Sequence, residues 1–273
     1  MDLNDIQRQI DEITWYHEFD FGNGLATRAR THDVAEHRAF WRNIENQLAQ
    51  VDFVGKTVLD VGCWDGYWSF YAERRGAKHV LAADDVSQNW AGNRGLQLAR
   101  SLLHSSIETR DDVSVYDLQS LGQTFDVVLC LGVYYHLVDP FHALAQIRHC
   151  CHENTVVVFE GDASLGLPDG AIHYEVADPN LPIFVPSPDG FAGMLRACYF
   201  DVVSQQSWPP EKAERPRWRK RLELALRALG SRRRPLPPEM VRLTSVCRPV
   251  DDINPLHVYR PPFGLHRYDP RFR

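Results

Sequence analysis

Thr57-Val58-Leu59-Asp60-Val61 is a short apolar run of β-forming composition, and it ends in a turn bracketed by glycines, Gly62-Cys63-Trp64-Asp65-Gly66. A helical stretch, Tyr67 to Arg75, follows and stops at Gly76; a second apolar run, Val80-Leu81-Ala82-Ala83, then delivers Asp84 and Asp85. Strand, glycine turn, helix, strand, acid is a βαβ unit, and each part has a physical task at the strand ends. The glycines let backbone approach a ligand with no Cβ in the way. The helix N-terminus offers free N–H groups to a negative group. An acid at the tip of the second strand, 24 residues after Asp60, is placed to hydrogen-bond ribose hydroxyls. Together these features point to an adenine nucleoside as ligand. The turn is G-x-x-x-G, which departs from the G-x-G-x-x-G of dinucleotide sites and argues against NAD.

The rest of the chain fits the same architecture. Leu3, Ile6, Ile10 and Ile13 have helical spacing, as do His37, Trp41, Ile44 and Leu48, so two helices precede the first strand. Beyond Asp84 the pattern predicts a helix around Trp90 to Leu103 capped by Ser87, a strand over Val113 to Tyr116, and a buried strand over Phe125 to Leu131. Asp139-Pro140 opens a helix to about Cys151, Thr155 to Phe159 is a strand, and Ser187-Pro188-Asp189 opens a helix to about Ala197. Asp201 to Ser207 and Val241 to Cys247 read as the last two strands. Strands alternating with helices predict an α/β, doubly wound, mostly parallel seven-stranded sheet with ligand beyond the C-terminal strand ends. The expected organisation is an N-terminal helical cap over 1–52 and a main domain over 53–273, with an insertion at about 209–240.

Composition excludes some classes. The 273 residues are 44% hydrophobic and 24% charged, which is globular rather than disordered. The net charge of −6 argues against an extended nucleic-acid surface. The six cysteines form no C-x-x-C and several sit in apolar runs, as expected of a reduced, cytoplasmic protein. The N-terminus lacks the basic start and apolar core of a signal peptide. The longest apolar run, Val127 to Val138, is too short to span a bilayer. No cluster has metal-ligand spacing, so no metal is expected.

Val58-Leu59-Asp60-Val61-Gly62-Cys63-Trp64-Asp65-Gly66 resembles motif I of the class I S-adenosylmethionine methyltransferases, which usually carry a further glycine where this chain has Trp64. Leu131-Gly132-Val133-Tyr134-Tyr135-His136-Leu137 and Trp15-Tyr16-His17 resemble motifs of one branch, related to the enzymes that modify the wobble uridine of tRNA by the 5-oxyacetic acid pathway. The resemblance implies a Rossmann-like methyltransferase with S-adenosylmethionine as cofactor. It places the cofactor against Asp60, Gly62, Cys63, Trp64, Gly66, Asp84, Asp85, Tyr116, Asp117, Leu131 and Gly132. Trp15, His17, Tyr135 and Phe184 become candidate substrate residues, with Trp15 and His17 on a segment folded over the cofactor. His136 and Glu160 are the candidates for proton transfer; an arginine salt bridge is the competing role for Glu160.

The implied reaction is methyl transfer to an O or N nucleophile of a small-molecule acceptor of bacterial type: a natural product, sugar or nucleoside. tRNA wobble-uridine modification is the alternative, and a non-catalytic S-adenosylmethionine-binding protein is a second. An Arg-rich stretch, Glu211 to Pro238, with Arg215, Arg217, Arg219, Arg221, Arg227, Arg232, Arg233 and Arg234, reads as a solvated helical hairpin or a homodimer contact ahead of an anion-binding arm.

Overall fold

In chain order, the computed structural model forms α1 (Leu3–Asp11), β1 (Asp20–Gly22), β2 (Leu25–Ala26), α2 (Val34–Leu48), β3 (Thr57–Val61), α3 (Tyr67–Arg74), β4 (His79–Ala83), α4 (Arg94–Leu102), β5 (Glu108–Arg110), β6 (Phe125–Leu131), α5 (Pro140–His149), β7 (Cys151–Ser164), β8 (Ile172–Tyr174), β9 (Phe184–Pro186), α6 (Pro188–Ala197), β10 (Phe200–Trp208) and β11 (Met240–Pro249). The structure describes residues 2–29, 34–89, 92–176, 182–209, 237 and 239–251. Most of the Arg-rich stretch, including all eight arginines named above, lies outside them.

Seven strands form one sheet in the order β10-β11-β7-β6-β3-β4-β5. β3 pairs in parallel with β4 and β6, β4 pairs in parallel with β5, and β10–β11 is an antiparallel edge pair. Four of the five residues of both β3 and β4 are buried in succession. That continuous burial, rather than alternation, is what a parallel strand covered on both faces requires, and it is why these segments read as unbroken apolar runs.

The described residues fall into two compact units, Met1–Leu131 with His149–Val157, and Gly132–Arg148 with the described residues from Val158 onward. The segment expected as a separate cap over 1–52 clusters with β3–β6 in the first unit. There α2 turns Phe40, Trp41, Ile44, Gln47 and Leu48 inward, a set that includes Trp41, Ile44 and Leu48 of the expected stripe, while His37 is only half-buried. A small hairpin joins β1 to β2 through Asn23 (φ 53°) and Gly24 (φ 81°), the left-handed pair that an Asn-Gly turn supplies.

Three local expectations differ from what forms. The helix after β4 starts at Arg94, with Asn93 before it; Ser87 instead bonds the Asp85 carboxylate in the preceding turn. The third strand is Glu108–Arg110 rather than Val113 to Tyr116. It pairs Leu81, Ala82 and Ala83 with Glu108, Thr109 and Arg110, so pairing to β4 outweighs the β-propensity of the later run. The segment after β7, for which the sequence pattern predicts neither strand nor helix before Ser187, contains the β8–β9 hairpin, with Tyr174 opposite Phe184.

In the second unit the core is aromatic. Tyr134 stacks on Phe191 at 4.3 Å, and Phe159 meets Phe191 and Phe200 edge-on. Ser187 caps α6 by accepting the Gly190 N–H at 3.0 Å, with Pro188 at the first helical position, as the Ser-Pro-Asp pattern predicts. Gly161 is forced by packing: an added Cβ would lie 2.7 Å from the buried Tyr134 ring and 2.8 Å from that of Tyr135. Gly161→Ala is therefore expected to cost about 1–3 kcal/mol by overpacking, read as a fall in the denaturant midpoint at unchanged slope. A variant as stable as wild type would show that these rings have room to move.

Candidate active site

The β3–α3 turn carries three residues in left-handed conformation: Gly62 (φ 68°), Trp64 (φ 52°) and Gly66 (φ 81°). Trp64 thus adopts a left-handed backbone that favours glycine, at a cost of roughly 1–2 kcal/mol for an L-residue. The strain is held from the next strand. The Gly62 and Cys63 N–H groups both donate to the Ala83 carbonyl, and the Trp64 N–H donates to Asp84 Oδ2 at 3.1 Å. Asn89 donates to the same Asp84 oxygen, and the Asp85 N–H donates to the other. Asp84 is thereby fixed at the tip of β4, half-buried, beside the glycine turn.

Burial raises Asp84 above the usual carboxylate range despite those hydrogen bonds. Burial likewise lifts Asp60, to about 6, against a 2.6 Å hydrogen bond from Ser69 Oγ; the charges of Asp84 and Asp65 push further the same way. Burial and the same three acids push the Cys63 thiol up. The turn therefore gathers acidic groups at one place, which fits a ligand that brings positive charge.

A stability test follows for Asp60. Between about pH 4 and 6 the folded protein holds a proton that the unfolded chain has released, so stability falls as pH rises through that window. A shift from 3.8 to about 6 corresponds to about 3 kcal/mol at neutral pH. Asp60→Asn removes that cost. The variant should be more stable than wild type at pH 7, and the gap should close near pH 4. A gap that does not change with pH would mean Asp60 is not the group responsible.

The N-terminal segment also reaches this turn. Asp65, between Trp64 and Gly66, accepts the backbone N–H groups of Tyr16 (3.2 Å) and His17 (2.8 Å) on Oδ2, and His17 Nδ1 donates to Oδ1 at 2.6 Å. The His17 ring stacks on Tyr67 at 4.7 Å and packs against Trp41 and Trp68. Trp15 is 2% exposed, donates its indole N–H to the Ile10 carbonyl, and lies against Gly95 at the start of α4.

In the second unit, Gly132 (φ 77°) donates its N–H to the Glu160 carbonyl. The following 3-10 turn, Tyr134–His136, presents His136 to solvent with its ring 4.1 Å from that of Tyr135. Both Glu160 oxygens are taken by Arg242, at 2.7 Å to Nε and 2.6 Å to Nη2, while Nη1 binds Asp162 at 2.8 Å. The same guanidinium sits 4.9 Å over the Tyr135 ring. Burial raises the Tyr135 phenol.

The expected residues thus fall into groups. Asp60, Gly62, Cys63, Trp64, Gly66, Asp84 and Asp85 come together at the tips of β3 and β4. Tyr116 and Asp117 lie beyond the end of β5, just before a 3-10 turn, and Asp117 is exposed; the third strand tip is Arg110 to Asp112, where Asp85 bridges Asp112. Leu131 ends β6 and is buried. Trp15, His17 and Phe184 are all buried against protein groups, Phe184 against Tyr134 and Tyr174. Glu160 takes the salt-bridge role instead of carrying a free carboxylate. Sequence reasoning missed Asp65, Asn89, Asp162 and Arg242. Arg242 had a signal, as the lone cation inside the apolar run Met240-Val241-Arg242-Leu243. Among the described residues no group of three or more His, Cys, Asp or Glu is placed to hold a metal ion, and no helix is long and apolar enough to cross a membrane.

A seven-stranded, mostly parallel sheet with a glycine turn and acids at its first two strand tips is the fold of the class I S-adenosylmethionine-dependent methyltransferases. Residues 33–205 match the family described as methyltransferase domain, and the chain belongs to that family. Among curated relatives, a tRNA U34 carboxymethyltransferase of Campylobacter lari is 27% identical over 177 residues, 60% of this chain and 57% of the relative. One of Pseudomonas aeruginosa is 31% identical over 134 residues, 47% of this chain and 40% of the relative. The chain spans about a third to just over half the length of the curated relatives it matches. Among solved structures, the N-terminal domain of EvdMO1 with S-adenosylhomocysteine bound has a TM-score of 0.56 at 18% identity, covering 91% of this chain and 98% of that one. The [4+2]-cyclase SpnF has a TM-score of 0.56 at 14% identity, covering 90% and 93%. These likenesses show the fold. S-adenosylmethionine is the cofactor of the class, and the acid-rimmed turn fits its positive charge.

Proposed function

We propose that this chain transfers a methyl group from S-adenosylmethionine to an O or N nucleophile of a small-molecule acceptor. The observation that carries the cofactor half is the pair of acids beside the glycine turn, buried Asp60 and half-buried Asp84, with the charge of Asp84 adding to burial in raising Asp60. When bound, the cofactor supplies an electrophilic methyl on a sulfonium. The chain's own residues bind and orient. Asp84 takes the ribose hydroxyls, and the Gly62–Gly66 turn admits the ligand against backbone. Asp85, Tyr116, Asp117, Leu131 and Gly132 complete the proposed cofactor contacts. His136, exposed on the turn after β6, accepts the proton from an acceptor hydroxyl or amine. Glu160, with both oxygens on Arg242, holds that guanidinium and Tyr135 in place rather than moving a proton.

The small-molecule acceptor rests on the acidic net charge of −6. A second reading, modification of the tRNA wobble uridine, is favoured by the names of those relatives. The two separate in one experiment. The protein is incubated with S-adenosylmethionine labelled in the methyl group, together with either total tRNA or the small-molecule fraction of a bacterial extract. Label in the small-molecule fraction is expected. Label in tRNA would replace the first reading with the second, and cofactor binding with no label in either would make the chain a non-catalytic binder.

A further inference from the structure

Asp65 stands between the two residues of the turn that are hardest to hold, Trp64 and Gly66, both left-handed. Its carboxylate is 4% exposed and makes three hydrogen bonds, all to residues 48 or 49 positions upstream. A carboxylate in the middle of a ligand-binding turn is thus turned away from any ligand and onto the N-terminal segment. His17, also 4% exposed, answers it from inside an aromatic setting of Trp41, Tyr67 and Trp68. The segment is pinned twice more. Trp15 lies against Gly95 at the start of α4, and Thr27 Oγ1 joins the Phe19 N–H to the His17 carbonyl. Residues 15–19 therefore run as a strap from the start of α4 to the start of α3, the two helices that follow β4 and β3. Strained backbone of the kind found at Trp64 persists only where its surroundings over-determine it, and the strap, bonded to the adjacent Asp65, adds to the constraint that Asp84 supplies.

We propose that His17 and Asp65 are positioning residues for the cofactor: a buried clasp that keeps the strap closed and holds Trp64 so that its N–H and Asp84 stay in register, with neither side chain touching the ligand. His17 thereby has a task other than the substrate contact expected from the sequence. The proposal rests on the cofactor reading above, and it predicts non-additivity. His17 acts only through Asp65, so its loss should matter little once Asp65 is gone.

The test combines two measurements on the full chain. In the absence of cofactor, hydrogen exchange of the Tyr16 and His17 amides reads the clasp itself; protection in wild type and its loss in Asp65→Ala are expected. Calorimetric titration with S-adenosylmethionine reads positioning. Asp65→Ala should weaken binding on the order of tenfold to a hundredfold, the range for lost hydrogen bonds to a buried charge. His17→Ala should weaken it less, and the double variant should be no worse than Asp65→Ala alone. Asp65→Asn, which keeps an acceptor for the two N–H groups and preserves the fold, should restore most of the affinity. Losses that multiply in the double variant, or unchanged affinity when the amides have become unprotected, would overturn the positioning role alone. Wild type that binds no S-adenosylmethionine would overturn the functional reading and the positioning role with it, whatever the amides show.

Discussion

Arg242→Met is expected to lower the unfolding free energy by about 3–5 kcal/mol, the cost of leaving buried charge without its partner. The reason is specific to the cluster on β7 and β11. Glu160 is 1% exposed and Asp162 19%, and the guanidinium is the partner of both. Removing it strands two carboxylates together, one fully buried and bonded through both oxygens. The Tyr135 ring also loses the cation above it. Because the loss comes from orphaned charge rather than from missing volume, it should be largely reversed by adding Glu160→Gln and Asp162→Asn to the same chain. Urea unfolding of the single and triple variants checks both parts. A single variant within about 1 kcal/mol of wild type, the range of an exposed ion pair, would show that the cluster is solvated in solution.

Asp84→Ala is expected to weaken S-adenosylmethionine binding on the order of ten- to a hundredfold. On the proposed assignment the substitution deletes charge-assisted hydrogen bonds to the ribose, each worth about 1.5–3 kcal/mol. It also releases the Trp64 N–H and the Asn89 amide from their shared acceptor, so the turn loosens at the same time. Asp84→Asn separates the two contributions: it keeps an acceptor for Trp64 but removes the charge. The Ala variant should bind more weakly than the Asn variant, and both should remain folded, since Asp84 sits at a strand tip. Unchanged affinity in folded Asp84→Ala would remove the ribose assignment and leave Asp84 as a brace for the turn.

Much of this arrangement was legible in the order of residues. The βαβ unit, the first two strand tips, the buried strand Phe125–Leu131 and the Ser187 cap all follow from short-range patterns, because apolar runs, glycine turns and caps act within a few residues of chain. Such patterns weaken where pairing decides. Val113 to Tyr116 has the composition of a strand, yet Glu108–Arg110 is the segment that finds hydrogen-bond partners along β4. The Asp85–Ser87 turn similarly displaced the expected cap and let α4 begin at Arg94.

What the sequence by itself determined is therefore the class of fold and the glycine turn with Asp60 and Asp84 beside it, since backbone conformation and strand order set both. The partners of those acids, and of the acid at the end of β7, were decided by tertiary structure. Asp65 meets His17 across 48 residues, and Glu160 meets Arg242 across 82. A carboxylate reads the same in sequence whether it is poised for a ligand, braces a turn or is locked to a guanidinium. Only burial, which makes an unpaired charge costly, selects which of those roles it takes.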